Sequence, residues 1–215
     1  DVCSSDLSHF MLKEIYEQPK AIADTLLTRA DGLKLDLNLS AIKKIVFIAC
    51  GTAYHAGLVG KYAVEQWAGI PVDVELASEY RYREPKIDSE TLVVPISQSG
   101  ETMDTLMAMR YAKSNGAKVL AICNTNGSTI PRESDAVIYT VAGPEIAVAS
   151  TKAFVTQLIA IYLLGLHFAK LTKTGINENE INQVLNELNQ LPAKDRKSTR
   201  LNSSHVSESR MPSSA

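Results

Sequence analysis

The sequence predicts an α/β protein with three layers, built on a doubly wound sheet of five parallel strands. Short apolar, β-rich runs alternate with longer helical segments, as expected for parallel strands joined by helical crossovers. The chain has 215 residues, of which 45% are hydrophobic and 21% charged. That composition is typical of a globular domain with a substantial core. Five strands in this alternation favour a flavodoxin-like strand order.

The predicted elements follow one another regularly. Strands are predicted at residues 44–49, 72–76, 92–96, 118–123 and 136–141. Helical spacing covers residues 11–29, 53–68, 103–114, a long apolar segment beginning at Ser150, and residues 178–191. Pro19 is expected to divide or kink the first helix, because proline removes a backbone hydrogen bond. Polar residues interrupt the long apolar segment, so we interpret it as a buried helix and not a membrane span.

Two terminal segments depart from this pattern. Residues 195–215 are rich in serine and poor in apolar residues, which predicts disorder. This segment and residues 1–7 both resemble translated sequencing-adaptor sequence, so we interpret both as non-native scars. The remaining chain is expected to contain a helical N-terminal segment, residues 8–40, and an α/β domain, residues 41–194.

Charge and cysteine content argue against several classes of protein. The 22 basic and 24 acidic residues give a net charge of −2, so neither nucleic acid nor a membrane is expected as a partner. Cys3, Cys50 and Cys123 are far apart without a C-x-x-C pair. We therefore expect no disulfide framework, no metal and no cofactor, and a cytoplasmic location. The polar first residues do not resemble a secretion signal.

Three stretches, two of them rich in hydroxyl groups, lie where a strand or loop meets a helix. Ligands of open parallel sheets bind beyond the carboxyl ends of the strands. Helix N-termini there offer unpaired N–H groups and a partial positive charge, which suit an anion. The candidate binding residues are Cys50, Gly51, Thr52, Ala53, Ser97, Gln98, Ser99, Gly100, Thr102, Val148, Ala149, Ser150 and Lys152.

The middle stretch, SQSGET at residues 97–102, suits a phosphate group. Its three hydroxyls and the Gln98 amide can donate hydrogen bonds to phosphate oxygens, and Gly100 lets the backbone approach closely. Glu101 is expected to point away, towards a helix dipole or a neighbouring chain. A plain helix cap would use similar residues. The other two stretches favour phosphate binding, because all three can converge on one crevice.

Other candidate chemistries have less support. No G-x-G-x-x-G follows a strand, and there is no P-loop. His55 is a candidate base and Cys50 a candidate nucleophile, but we favour a surface or packing role for the first and a small buried residue for the second. His167 is interpreted as a hydrogen-bonded core residue. Lys152, in a first helical turn, lies either beside an anion or in solvent.

Five motifs in order resemble the sugar isomerase (SIS) domain family and, within it, the glutamine–fructose-6-phosphate aminotransferases, also called glucosamine-6-phosphate synthases. The motifs are MLKEIYEQP (11–19), ACGTAYH (49–55), ASEYRYR (77–83), SQSGET (97–102) and EIAVASTK (145–152). The pattern S-x-S-G-x-T is the phosphosugar loop of the family. The resemblance covers roughly residues 8–194.

The resemblance implies the first SIS domain of a modular enzyme of amino-sugar biosynthesis, with residues 8–40 as the start of its isomerase half. Such an enzyme also has a glutaminase domain and a second SIS domain, and is expected to form a homodimer. The implied ligands are fructose 6-phosphate and glucosamine 6-phosphate. The family's binding residues match Thr52, Ser97, Gln98, Ser99, Thr102, Val148 and Ser150.

The same resemblance implies that the chain alone is inactive, because the family's catalytic residues belong to the other domains. Cys3 is not the glutaminase cysteine, since the glutaminase sequence does not follow it. The chain is expected to bind sugar phosphate weakly and to self-associate. The family often has serine where this chain has Ala53, so one phosphate contact is expected to be lost.

Two alternatives remain open from the sequence. A phosphosugar-sensing module would carry a helix-turn-helix before its SIS domain, and residues 11–39 contain no basic recognition helix. A single-domain aldose–ketose isomerase would need its own base, for which only His55 and Glu79 are candidates.

Overall fold

The structure is a computed structural model that describes residues 9–27 and 33–205, with side chains described as far as residue 199. Strands and helices alternate through most of this part of the chain. The strands are β1 (Lys44–Ala49), β2 (Val72–Leu76), β3 (Thr91–Ser97), β4 (Lys118–Cys123) and β5 (Ala136–Tyr139). The helices are α1 (Phe10–Leu27), α2 (Gly51–Ala68), α3 (Ala77–Arg83), α4 (Met103–Ser114), α5 (Thr129–Glu133), α6 (Lys152–Thr172) and α7 (Glu178–His205).

The five strands form one parallel sheet in the order β2-β1-β3-β4-β5. The predicted flavodoxin-like order is therefore confirmed. From β1 the chain first adds β2 on one side and then crosses to add β3 on the other. The carboxyl ends of β1 and β3 consequently border a topological switch point, the place where open α/β sheets bind their ligands.

Both faces of the sheet are covered by helices because the strands carry apolar residues on both sides. Ile45, Phe47 and Ala49 pack with α2 and α6 in one core cluster. Val46 and Ile48 point the opposite way and pack with α3, α4 and α5 in a second cluster. The period of two along a strand produces this division.

A further layer lies outside α6. Ile22 and Leu26 of α1 pack with apolar residues of α6 and α7 in a third cluster. The three-layer prediction thus describes the sheet and its two helical faces but omits α1 and α7. The physical reason is the composition of α6, which is apolar on most of its circumference and so must be covered on two sides.

Helix α6 is long and apolar enough to cross a membrane by length and composition alone. Its packing, and not its length, identifies it as a core helix. Residues such as Ile161 and Phe168 face the sheet cluster, whereas Ile159 and Leu163 face α1 and α7. The interpretation of the apolar segment as a buried helix is confirmed by this burial.

Several boundaries differ from the predictions. Helix α1 runs through Pro19 without a break, because packing of its buried face outweighs one lost backbone hydrogen bond. Helices α3 and α5 were not predicted, since they are too short to show a periodic pattern. Helix α7 continues to His205 through residues predicted to be disordered. Extending an existing helix costs less than starting one, and lysine and arginine favour it.

The predicted N-terminal scar lies outside the described residues, whereas the first part of the predicted C-terminal scar, residues 195–205, lies in α7. Residues 1–8 and 206–215 fall outside the described residues. The adaptor origin of residues 1–7 and 195–215 stays a prediction.

Candidate functional site

A cavity of about 270 Å³ lies at the carboxyl ends of β1 and β3, at the switch point of the sheet. Four segments surround it: the start of α2, the loop after β3, the loop before α6, and α6 itself. Its lining residues are Cys50, Thr52, Ala53, Ile96, Ser97, Gln98, Ser99, Thr102, Glu145, Ala147, Val148, Ser150 and Gln157.

All three predicted stretches contribute to this lining. Of the predicted binding residues, Gly51, Gly100, Ala149 and Lys152 are not among the lining residues. The first three are neighbours in sequence of residues that are. Glu145, Ala147 and Gln157 line the cavity although they were not predicted as binding residues, and so does Ile96 at the end of β3.

The loop at residues 97–102 is held in shape by its own hydroxyl groups. The N–H of Gly100 donates to Ser97 Oγ at 3.0 Å, and the N–H of Glu101 donates to Ser99 Oγ at 3.2 Å. Ser97 Oγ also lies 3.2 Å from Thr102 Oγ1. Because Ser99 accepts from the backbone, its hydroxyl proton is left to donate. The loop is therefore a preformed set of donors.

Gly100 is required by the packing behind the loop. Its φ of +68° is in the left-handed region, and a Cβ there would lie 1.9 Å from Ser128 Oγ. The sequence suggested that this glycine lets the backbone approach a ligand. The structure gives a different reason for it, which is the close approach of Ser128 and Cys123.

Glu101 ties the same loop to α5. Its carboxylate accepts the N–H of Thr129 at 2.7 Å, at the first residue of α5. That bond, together with the Thr129 hydroxyl and the nearby Arg132, lowers the pKa of Glu101. Glu101 is thus directed to a helix start, one of the two roles expected from the sequence.

Glu145 occupies the N-terminus of α6. Its carboxylate accepts the N–H groups of Thr151 at 2.8 Å and Ala153 at 3.2 Å, and the hydroxyl of Ser150 at 3.0 Å. The N–H groups at the start of α6, which were predicted to bind an anionic ligand, are therefore satisfied by a carboxylate of the protein itself. By contrast, the N-cap residues of α2 and α4, Cys50 and Thr102, make no side-chain cap hydrogen bond.

Helix α1 anchors the loop before α6. Glu14 is 2% exposed, and its carboxylate accepts the N–H groups of Ile146 at 2.6 Å and Ala147 at 3.2 Å. Lys152 is 4% exposed, and its ammonium lies 2.6 Å from the carboxylate of Glu17. The alternative of a solvated Lys152 is therefore wrong, because Glu17 draws the side chain under α1. The sequence feature that could have indicated these contacts is the pair of glutamates, Glu14 and Glu17, in the motif EIYEQP.

The remaining candidate residues lie apart from the cavity or are buried. His55 and Glu79 are exposed and do not line it. Cys123 is buried, and burial raises the pKa of its thiol. His167 is half-buried against Phe168, and burial together with Lys170 lowers the pKa of its imidazole. Both cysteines in the described part of the chain are free, and no metal-ligand cluster occurs there.

Comparison with known families agrees with this geometry. Residues 38–167 match the family described as the SIS domain. The chain belongs to the SIS domain family. The matched range contains every strand of the sheet and all of the cavity-lining residues.

Curated relatives with more than half of their aligned residues identical to this SIS domain are aminotransferases. It is 63% identical over 188 residues to glutamine–fructose-6-phosphate aminotransferase (isomerizing) of Streptomyces coelicolor, a match that covers 83% of this chain and 30% of that protein. The enzyme of the same name from Corynebacterium diphtheriae is 58% identical over 194 residues, with 86% and 31% covered. The chain thus spans somewhat under a third of these curated relatives.

A solved structure supports the same assignment. The C-terminal domain of glucosamine-fructose-6-phosphate aminotransferase from Francisella tularensis is 42% identical, with a TM-score of 0.83. The match covers 89% of this chain and 56% of that one. The resemblance inferred from the five motifs is confirmed.

Glu14 gives a test of the anchoring role of α1. We expect Glu14→Ala to lower the free energy of unfolding by about 1.5–3 kcal/mol, because two backbone N–H groups lose a charged acceptor that is itself buried. Amide hydrogen exchange should accelerate at Ile146 and Ala147. Chemical denaturation and exchange measured by NMR would check both effects.

The exposed Glu79 provides the control for this prediction. Glu79→Ala should leave both the stability and the exchange at residues 146 and 147 unchanged. Unchanged exchange in Glu14→Ala would contradict the anchoring role.

Proposed function

We propose that this SIS domain binds fructose 6-phosphate, and its product glucosamine 6-phosphate, as the first SIS domain of a glutamine–fructose-6-phosphate aminotransferase of amino-sugar biosynthesis. The observation that carries the proposal is the preformed hydroxyl loop at residues 97–102, which faces a polar cavity at the switch point. The identity to aminotransferases supports the choice of ligand.

The phosphate is proposed to bind at the loop and at the N-terminus of α4. Ser99 is exposed there, and its hydroxyl and the Gln98 amide are directional donors. Ser97 and Thr102 share one hydrogen bond, so the hydroxyl that accepts in that bond keeps its own proton to donate. The lining residues include no lysine or arginine. A dianion would therefore be held by neutral donors and by the helix dipole.

The sugar hydroxyls are proposed to point the other way, towards Thr52, Ser150 and Val148. The Glu145 carboxylate lies on that side. It would repel a phosphate, but it can accept a hydrogen bond from a hydroxyl group. The charge distribution in the cavity thus favours one orientation of a sugar phosphate over its reverse.

The role proposed for this domain is binding and orientation. The ionisable groups that line the cavity are Cys50 and Glu145, and Glu145 already holds the start of α6. We propose that the catalytic groups come from a glutaminase domain and a second SIS domain, in a cytoplasmic homodimer. The small share of each relative that the chain spans supports this proposal.

Titration with fructose 6-phosphate tests the site. Ser99→Ala is expected to weaken binding roughly 10-fold or more, since a hydrogen bond to a charged group is worth about 1.5–3 kcal/mol. Isothermal titration calorimetry would measure the change. Ser114→Ala, at an exposed serine of α4 far along the helix, should leave the affinity unchanged. Absence of binding at saturating ligand, or equal binding by Ser99→Ala, would contradict the proposal.

The proposed division of labour predicts that the chain alone is inactive. With fructose 6-phosphate and ammonia as substrates, no glucosamine 6-phosphate should form, because none of the lining residues is a free general base. Chromatographic detection of the product would check this. Formation of glucosamine 6-phosphate by the isolated chain would contradict the proposal that the catalytic groups belong to other domains.

Ala53 offers a test by gain of affinity. The residue lines the cavity at the first turn of α2, so Ala53→Ser is expected to add a hydroxyl donor to the phosphate and to tighten binding roughly 10-fold. The same titration with fructose, which lacks the phosphate, serves as the control and should show no gain. Equal affinity of the two proteins for fructose 6-phosphate would place the phosphate away from this position.

A further inference from the structure

Gln157 forms part of the floor of the cavity. The most deeply buried of the lining residues include Ile96 at 1%, Ser97 at 3% and Gln157 at 4% exposed. Gln157 lies on α6, the helix whose N-terminus donates hydrogen bonds to Glu145 of the preceding loop. In the sequence, Gln157 is one of the polar residues that interrupt the long apolar segment. Its position instead puts a neutral amide beneath the ligand.

The amide of Gln157 makes no hydrogen bond to another residue in the part of the chain that the structure describes. Two other polar side chains of the lining already have protein partners: Ser97 bonds within its loop, and Ser150 donates to Glu145. Even its neighbour Thr156 donates to the carbonyl of Ala153 at 3.0 Å. The side chain is buried but lines the cavity, so the hydrogen-bonding capacity of its amide is available to a ligand there.

We propose that Gln157 is a further ligand-binding residue, whose amide hydrogen-bonds a hydroxyl group of the sugar portion of the bound sugar phosphate. This inference rests on the proposed function. A side-chain amide both donates and accepts, and so does a hydroxyl. A phosphate dianion only accepts, and would leave the amide oxygen facing negative charge. Gln157 thus contributes to recognition of the sugar portion of the ligand and not of its phosphate group.

The decisive variant is Gln157→Met, which removes the amide and preserves the side-chain volume. In calorimetric titrations it is expected to weaken fructose 6-phosphate binding roughly 2- to 12-fold, the effect of one neutral hydrogen bond. Binding of inorganic phosphate, used as a second probe, should stay unchanged. The melting temperature without ligand should stay close to that of the wild type, because the substitution preserves side-chain volume and removes an amide that faces the cavity.

Three further variants make the outcome specific. Thr156→Val changes the adjacent residue, which is buried away from the cavity, and should leave both affinities unchanged. Gln157→Leu repeats the test should the methionine variant fail to fold. Ser99→Ala is expected to weaken both fructose 6-phosphate and inorganic phosphate, and so marks the phosphate end of the site.

The results separate this inference from the function it rests on. If Gln157→Met binds fructose 6-phosphate as the wild type does while Ser99→Ala does not, the inference fails and the proposed function stands. A lower melting temperature with both ligands weakened would mean a structural role for Gln157 and would also overturn it. If the wild-type chain binds neither ligand, both proposals fall together.

Discussion

The carboxylate of Glu145 at the first turn of α6 is the interaction on which the arrangement of the cavity depends. It satisfies backbone N–H groups of α6 and holds the Ser150 hydroxyl. Without it, the loop before α6 would have no fixed end on the helix side. Because it is an anion, it also makes the α6 side of the cavity electronegative, so the starts of α2 and α4 are left as the places that favour a negatively charged group.

The same loop is fixed at its other end by α1, which joins the N-terminal segment to the site. Glu14 binds the backbone before Val148, and Glu17 binds Lys152 just after it. The apolar side of α1 packs on α6. Hydrophobic burial therefore sets the distance of α1 from the cavity, and Glu14 and Glu17 convert that packing into a defined loop position.

Most of the fold and the site could be predicted because they depend on local patterns. Apolar runs on both faces define the strands, and SQSGET follows a strand whose residues are all buried. The errors at the site have a different origin, because they involve contacts between residues that are distant in sequence. The partner of Lys152 is Glu17, 135 residues earlier, and no local pattern reveals it. Gln157 was predicted only as a polar interruption of the apolar segment, because spacing along α6 does not distinguish a residue that lines a cavity from one that contacts another helix.

The lack of lysine and arginine among the lining residues has a consequence for discrimination between ligands. A cationic pocket attracts any anion, and dissolved salt screens that attraction. A pocket of hydroxyls, an amide and helix-start N–H groups instead favours the tetrahedral arrangement of phosphate oxygens, since each donor has a fixed direction. Such a pocket would distinguish a phosphorylated sugar from a carboxylated one of equal charge, with a weaker dependence on ionic strength than a cationic pocket has.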